Sequence, residues 1–261
     1  MAVPASQPAV VDVLGVRIST LNLAETVRHI AAWKQEGRRE YVCCVCVHGI
    51  VTAQRDKQIR AALNGAGIAT KDGMPLSWWC RAVGFRGSKR VSGSDLMEAL
   101  CAFGASRGYR HYFYGGTPAV VEALVDRLQH RFPDLVVAGY RSPPFRPLSA
   151  AEDAAEVAAI NAAQADFVWV GLGMPKQERW IAGHVGRIDA TALLGVGAAF
   201  DFLAGAKPRA PGWMQQVGLE WLFRLASEPR RLARRYIVDN GAFVAMVLRH
   251  LLSQRPGPTA P

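Results

Sequence analysis

The sequence predicts an α/β protein, a mostly parallel sheet flanked by helices, followed by a basic helical C-terminal appendage. Three observations carry this. Short apolar runs alternate with amphipathic stretches up to about residue 200. Several of those runs end in paired or closely spaced glycines, and beyond Pro208 the pattern turns to helix rich in Trp, Leu and Arg. Strands alternating with helices of roughly 10–15 residues signal βαβ units.

In chain order, strands are expected at residues 41–47, 68–70, 111–114, 136–139, 167–170 and 192–196. Helices are expected at 23–34, 52–63, 94–106, 119–131 and 150–163, where apolar residues recur at helical spacing. Three strands run into Gly115-Gly116, Gly171-Leu-Gly173 and Gly195-Val-Gly197. In open α/β sheets the ligand crevice lies at the carboxyl ends of the strands, and glycine there lets a ligand approach the backbone. After Pro208, residues 213–225 read as one aromatic helix. Pro229 then restarts a helix at a first-turn position, and Arg230, Arg231, Arg234 and Arg235 share one broad face. A further apolar helix at 241–252 leads into a Pro/Gly-rich tail expected to be disordered. The expected division is a core at 1–205, an appendage at 206–253 and the tail at 254–261. No solenoid-type repeat is present.

Composition narrows the class. The chain has 261 residues, 50% hydrophobic, which suffices for a packed core and excludes a disordered or collagen-like chain. Lys and Arg number 31 against 21 acids, a formal charge of +10. From Lys207 onward there are nine Lys or Arg and three acids, so most of the excess lies in the appendage and calls for an anionic partner. No apolar run approaches the roughly 18–20 residues that cross a bilayer. Residues 1–11 contain no Lys or Arg and so lack the basic start of a secretory signal. A cytoplasmic protein is expected.

Of the five cysteines, Cys43 and Cys46 form a C-x-x-C, but within a strand that spacing puts them on opposite faces. No second pair of ligands follows, so reduced thiols are expected, without a disulfide framework. Other motifs are missing. Gly171-Leu-Gly-Met-Pro-Lys and Gly195-Val-Gly-Ala-Ala-Phe both lack the third glycine of a dinucleotide site, which disfavours an NAD-type oxidoreductase. There is no P-loop and no Asp-x-Asp, and the six His form no spaced ligand set. Neither a metal nor a cofactor is expected.

The residues that remain have two readings each. Asp72 closes a strand and opens an apolar helix, as a helix cap or as a general base held at the strand's end. Arg90-Val-Ser-Gly-Ser-Asp95 offers an arginine beside a helix start, which suits a phosphate, while Ser94 or Asp95 could be plain caps. Lys176-Gln177-Glu178 begins another helix, as a solvated N-terminus or as a site. Asp201 is a cap or a ribose or sugar ligand. The arginines at 230–235 form a solvated face or an anion site.

Taken in order, these pieces resemble the bacterial WecG/TagA/CpsF glycosyltransferase family. The landmarks are Asp72-Gly73-Met74, Arg90-Val-Ser-Gly-Ser-Asp-Leu96, Gly115-Gly116, Val170-Gly-Leu-Gly-Met-Pro-Lys-Gln-Glu178 and Val196-Gly-Ala-Ala-Phe-Asp201. They continue through Arg209-Ala-Pro, Gly218-Leu-Glu-Trp-Leu-Phe-Arg224 and Glu228-Pro-Arg-Arg-Leu-Ala-Arg-Arg235, so the resemblance spans residues 11–243.

The resemblance implies a Rossmann-like core that takes a UDP-sugar, inverts the anomeric carbon and uses no metal. The implied acceptor is a sugar linked through pyrophosphate to undecaprenol, in cell-surface polysaccharide or teichoic acid synthesis. Asp72 becomes the implied general base, with Arg90 and Gln177 lining the donor or acceptor site. The implied binding residues are Gly73, Asp95, Gly115, Gly116, Gly171, Gly173, Lys176, Glu178, Gly197, Asp201 and Arg209. Arg224, Arg230, Arg231 and Arg234 or Arg235 would close over the site from an appendage that meets an anionic membrane. A peripheral enzyme on the inner face of the plasma membrane follows, with self-association through the core as a further expectation. Where the family usually shows Thr-x-Asn, this chain has Cys44-Val-Cys46, and thiols are weak hydrogen-bond partners. That leaves the donor open between UDP-N-acetylmannosamine and UDP-glucose. A nucleic-acid-binding protein is the rival that the charge raises. It would need exposed aromatics among basic residues, whereas Trp213, Trp221 and Phe223 read as a packed helix.

Overall fold

The first elements follow from local chemistry. Leu14 and Gly15 take positive φ and close a hairpin of β1 (Val10–Val13) and β2 (Val16–Ser19), which the sequence reading did not foresee. Asn22 and Glu25 form a reciprocal capping box on α1 (Leu23–Gln35), satisfying two otherwise unpaired helix donors. The first core strand, β3, is Glu40–Val45. It is shorter than expected, because Cys46 leaves the ladder and caps α2 (Val47–Arg55). The single helix expected at 52–63 is two, since Asp56 accepts from the backbone N–H groups of Gln58 and Ile59 and starts α3 (Lys57–Asn64). These features belong to a computed structural model that describes residues 8–253. Residues 1–7, the tail at 254–261 and the side chain of Arg235 lie outside the described part.

The chain then alternates as β4 (Ile68–Lys71), α4 (Met74–Ala82), α5 (Gly93–Ala105), β5 (Arg110–Gly115), α6 (Pro118–Arg131), β6 (Val136–Arg141) and α7 (Ala150–Ala162). It continues as β7 (Phe167–Gly171), α8 (Lys176–His184), β8 (Ala192–Gly195) and α9 (Ala199–Leu203). Strands β3 to β8 form one six-stranded sheet in the order β4-β3-β8-β7-β5-β6, all pairs parallel. Both faces are covered, as parallel sheets require. Alternation along β3 sends Tyr41, Cys43 and Val45 into one core with α2, α3 and α8, and Val42 into the other with α1, α5 and α6. Buried Lys71 turns away from the strand's end and donates to the carbonyls of Ser19 and Leu21, pinning the hairpin to the sheet.

Beyond the sheet, Gly218 at φ +83° breaks the expected aromatic helix into α10 (Gly212–Gln216) and α11 (Glu220–Ser227). Pro229 starts α12 as expected, but the helix runs unbroken through Pro229–Ser253. Phe243 of α12 is buried in the core that α2 also lines. Trp213 and Trp221, read as packed, are instead 61% and 41% exposed. The helical period identified an apolar face, but a period cannot say whether that face has a partner within the chain.

Candidate active site

One cavity of about 1430 Å³ lies along the carboxyl ends of β4, β3, β8, β7 and β5, with α10, α11 and α12 closing over it. It brings together Asp72, Gly73, Arg90, Gly116, Gly171, Gly173, Gln177, Glu178, Gly197, Asp201, Arg224 and Arg231 from the sequence reading. Asp95, Gly115, Lys176, Arg209 and Arg230 do not line it. Lys176 and Arg230 are exposed elsewhere. Gly115 stands directly behind the wall, at φ +136°, where a Cβ would meet the Gly171 carbonyl at 2.6 Å. Only glycine fits that crossing of two strand ends.

Asp72 is fixed by its backbone. Its N–H donates to Val45 at 2.7 Å, extending the β3–β4 pairing by one residue beyond the strand. Gly73, at φ +149°, takes the N-cap position of α4, so Asp72 is not the cap and its carboxyl is left to the cavity. Burial raises that carboxyl to about 6, against the pull of the Arg90 guanidinium. A carboxylate with that poise is mostly ionised at neutral pH yet basic enough to take a proton.

Arg90 ties the core to the appendage. It donates to Glu220 at 2.7 Å, to Gln215 at 2.9 Å and to Asp95 at 3.2 Å. The cap of α5 is Ser92, not Ser94 or Asp95. Asp95 accepts from Ser92, Arg90 and Arg209; burial works to raise its carboxyl, but the bonds from Arg209 and Ser92 outweigh it and hold it below the usual range. Asp95 and Arg209 therefore brace Arg90 from behind the wall. Arg224 carries a further cation into the cavity. Its guanidinium lies 5.3 Å from the centre of the Phe202 ring, and its buried Nε has no hydrogen-bond partner among the described residues. Arg231 pairs with Glu228, and Lys207 bridges Asp201 and Glu228 at 2.8 and 3.3 Å, which joins α9 to the start of α12.

Gln177 and Glu178 are buried, not solvated. Gln177 donates to Glu178 at 2.9 Å and accepts from the Gly197 N–H at 2.8 Å, so it holds the loop after β8 in place. Cys44 and Cys46 lie half-buried on the cavity wall, and none of the five cysteines is in a disulfide. Burial, reinforced by Asp72, pushes the Cys44 thiol well above its usual range, so it stays protonated. Among the described residues, no group of three His, Cys, Asp or Glu side chains is placed to hold a metal ion. The sequence reading missed His48, whose Nδ1 lies 2.6 Å from Asp239 of α12 on the same wall. No motif announces it, because its partner is 191 residues away.

A parallel sheet of this order carries a poised carboxylate and guanidinium groups at its carboxyl edge, where open α/β sheets hold their ligands. The Glycosyl transferase WecG/TagA/CpsF family matches residues 11–257, and the chain belongs to that family of enzymes. It is 27% identical over 231 residues to an N-acetylglucosaminyldiphosphoundecaprenol N-acetyl-beta-D-mannosaminyltransferase of Staphylococcus aureus (strain MW2), covering 88% of this chain and 89% of that protein. It is 29% identical over 199 residues to a protein of the same name from Bacillus spizizenii, covering 76% and 74%.

Proposed function

We propose that this glycosyltransferase moves a sugar from a UDP-sugar to a sugar carried on undecaprenyl pyrophosphate, with inversion and without a metal. The observation that carries the reading is the joint placement of Asp72, Arg90 and Arg224 on one cavity wall. Asp72 takes the proton of the acceptor hydroxyl as that oxygen attacks the anomeric carbon. The bond to the UDP oxygen breaks on the opposite face. The departing diphosphate gains charge, which fixed guanidinium groups stabilise without reorganisation. Arginine suits this because its planar fork meets two phosphate oxygens at once.

The acceptor's class is supported by the names of the relatives from S. aureus and B. spizizenii. No helix of the described residues is long and apolar enough to cross a membrane. Exposed Trp213, Trp221, Ile237, Leu248 and Leu251 nevertheless put apolar side chains on the same appendage as the arginines. That combination supports peripheral docking, since each basic residue near an anionic surface contributes about 1 kcal/mol. The same exposure supplies the aromatics a nucleic-acid binder would need, but the basic groups beside them, Arg224 and Arg231, line the cavity. The test is a panel of UDP-sugars offered with undecaprenyl-pyrophosphate-linked N-acetylglucosamine, scored by product mass. Transfer of one hexose or N-acetylhexosamine is expected; no transfer from any UDP-sugar would overturn the reading.

A further inference from the structure

Helix α12 is apolar on two sides. Val238 and Leu252 are exposed and stand outside the cavity, whereas Val244, Val247 and Leu251 recur at helical spacing along its wall. Two contacts set that orientation: Phe243 is buried in the core, and Asp239 meets His48 at 2.6 Å. Yet Val244 is 55% exposed and Leu251 53%. The cavity-facing stripe is held in place and left uncovered.

Helix α4 supplies a second wall. Trp78, Ala82 and Val83 line the cavity from it, with Trp78 and Val83 each 49% exposed. Trp79 ties the two helices together. Its ring centre lies 5.8 Å from that of His250, and its indole N–H donates to the Asp12 carbonyl at 3.1 Å. The result is an apolar cleft between α4 and the C-terminal half of α12. It opens on the Asp72 end of the cavity, because Asp72 and Gly73 lead directly into α4. Val244 to Leu251 is seven residues of helix, ~10 Å at about 1.5 Å each. The α4 side also suits an anionic headgroup, since residues 73–94 hold four Lys or Arg and no acid.

The cavity thus leaves Asp72 in two directions of unlike chemistry. Toward α9 it meets Arg224 beside Phe202 and Arg231 near Asp201, guanidinium groups that suit the donor's diphosphate. Toward α4 and α12 it meets hydrocarbon. We propose that the cleft between α4 and α12 is a subsite for the first isoprene units of the acceptor's polyprenyl chain. The assignment rests on the lipid-linked acceptor reading above and deepens it. An isoprenoid chain has no hydrogen bonds to make, so an uncovered hydrocarbon wall is the surface that recognises it. Seated there, the chain brings the sugar at its head toward Asp72.

The test is steady-state transfer by the full chain, using the UDP-sugar that the donor panel identifies. Two acceptors are compared, N-acetylglucosamine pyrophosphate esterified to farnesol or to butanol, both dissolved without membrane or detergent. The parent is expected to show a KM for the farnesyl acceptor roughly 10- to 100-fold below that for the butyl one, from the apolar surface covered. Val83→Asn and Val244→Asn, one on each wall, should each raise the farnesyl KM about 3- to 10-fold, the worth of covering a half-exposed apolar side chain. Their KM values for the butyl acceptor and the UDP-sugar should stay as in the parent. Leu252→Asn, on the outward side of α12, should change none of the three. These side chains are exposed, so no variant should disturb folding. A parent that treats the two acceptors alike overturns the assignment, as does a farnesyl preference that survives both wall substitutions. An equal rise in the farnesyl and butyl KM also overturns it, by showing a general change in the site. If Val244→Asn instead loses affinity for anionic phospholipid vesicles and keeps its farnesyl KM, the stripe is a membrane contact and the assignment fails. No transfer to either acceptor from any UDP-sugar would remove the proposed function on which the assignment stands, a result distinct from the others.

Discussion

Arg90 donates to Glu220 at 2.7 Å, so a residue just before the first turn of α5 grips the first residue of α11. The bond is half-buried on both sides, with side chains 12% and 21% exposed, and closes the appendage over the cavity. Glu220→Gln keeps the shape and removes the charge. It is expected to loosen α10 and α11 by about 1–3 kcal/mol, the worth of a bond to a charged partner. Hydrogen exchange over residues 212–227 measures this: faster exchange there with the sheet unchanged is the expected outcome. Unaltered exchange would show that the appendage is held by other contacts.

Asp72 predicts a pH signature. Its carboxyl must be ionised to accept a proton, so turnover should fall as pH drops through about 6. Stability runs the other way. A carboxyl raised from 3.8 to about 6 favours the folded state only while protonated, an advantage complete below 3.8 and lost as pH rises through about 6. Asp72→Asn is therefore expected to unfold later than the parent at pH 7.5, by roughly 2–3 kcal/mol at most, and to show no such gain at pH 3.5. Thermal unfolding at the two pH values decides it.

Arg224 is expected to act on the leaving group. Arg224→Ala should lower kcat/KM by about 10²–10³, the effect of removing one fixed donor at a site of developing charge. Arg224→Lys should recover only part of this, because an ammonium lacks the planar fork. Full activity of Arg224→Lys would mean that only charge matters there.

Much of this architecture was legible in the sequence, and the gaps have physical causes. The six core strands and the helices expected at 23–34, 94–106, 119–131 and 150–163 came from periodicity, with boundaries shifted by a few residues. Residues 41–47 alternate as a strand to the end, and only the tertiary structure diverts Cys46 out of the ladder to cap α2. Asp56 and Gly218 did carry break signals, a cap residue and a left-handed glycine, inside otherwise continuous helical patterns. For the site, glycine spacing and the Asp72 segment led to the right edge of the sheet. What local pattern could not show is that Arg209 holds Asp95 and Ser92 behind Arg90, since those bonds join residues 114 and 117 positions apart.

Gly115 predicts a purely steric effect. Gly115→Ala places a methyl group 2.6 Å from the Gly171 carbonyl at a φ of +136°, so one strand end must move. The expected cost is about 1–3 kcal/mol for the backbone alone, with the clash added. A lowered Tm together with weaker UDP binding is expected, because Gly171 lines the cavity that Gly115 supports. Unchanged Tm would place the carbonyl elsewhere.

Transfer without metal is expected to survive a chelator. Fixed guanidinium groups, not a bound cation, carry the diphosphate charge in this account. Activity in excess EDTA should match activity in its absence. Loss in EDTA with recovery on adding magnesium or manganese would require a metal ion in the reaction.

The most direct measurement is single-turnover transfer from a UDP-sugar to undecaprenyl-pyrophosphate-linked N-acetylglucosamine, comparing the parent with Asp72→Asn. The account predicts an inverted product from the parent and a rate about 10²–10⁴ lower from Asp72→Asn, the usual contribution of a positioned general base, with UDP binding retained. A near-parental rate from Asp72→Asn, or a product of retained configuration, would contradict it.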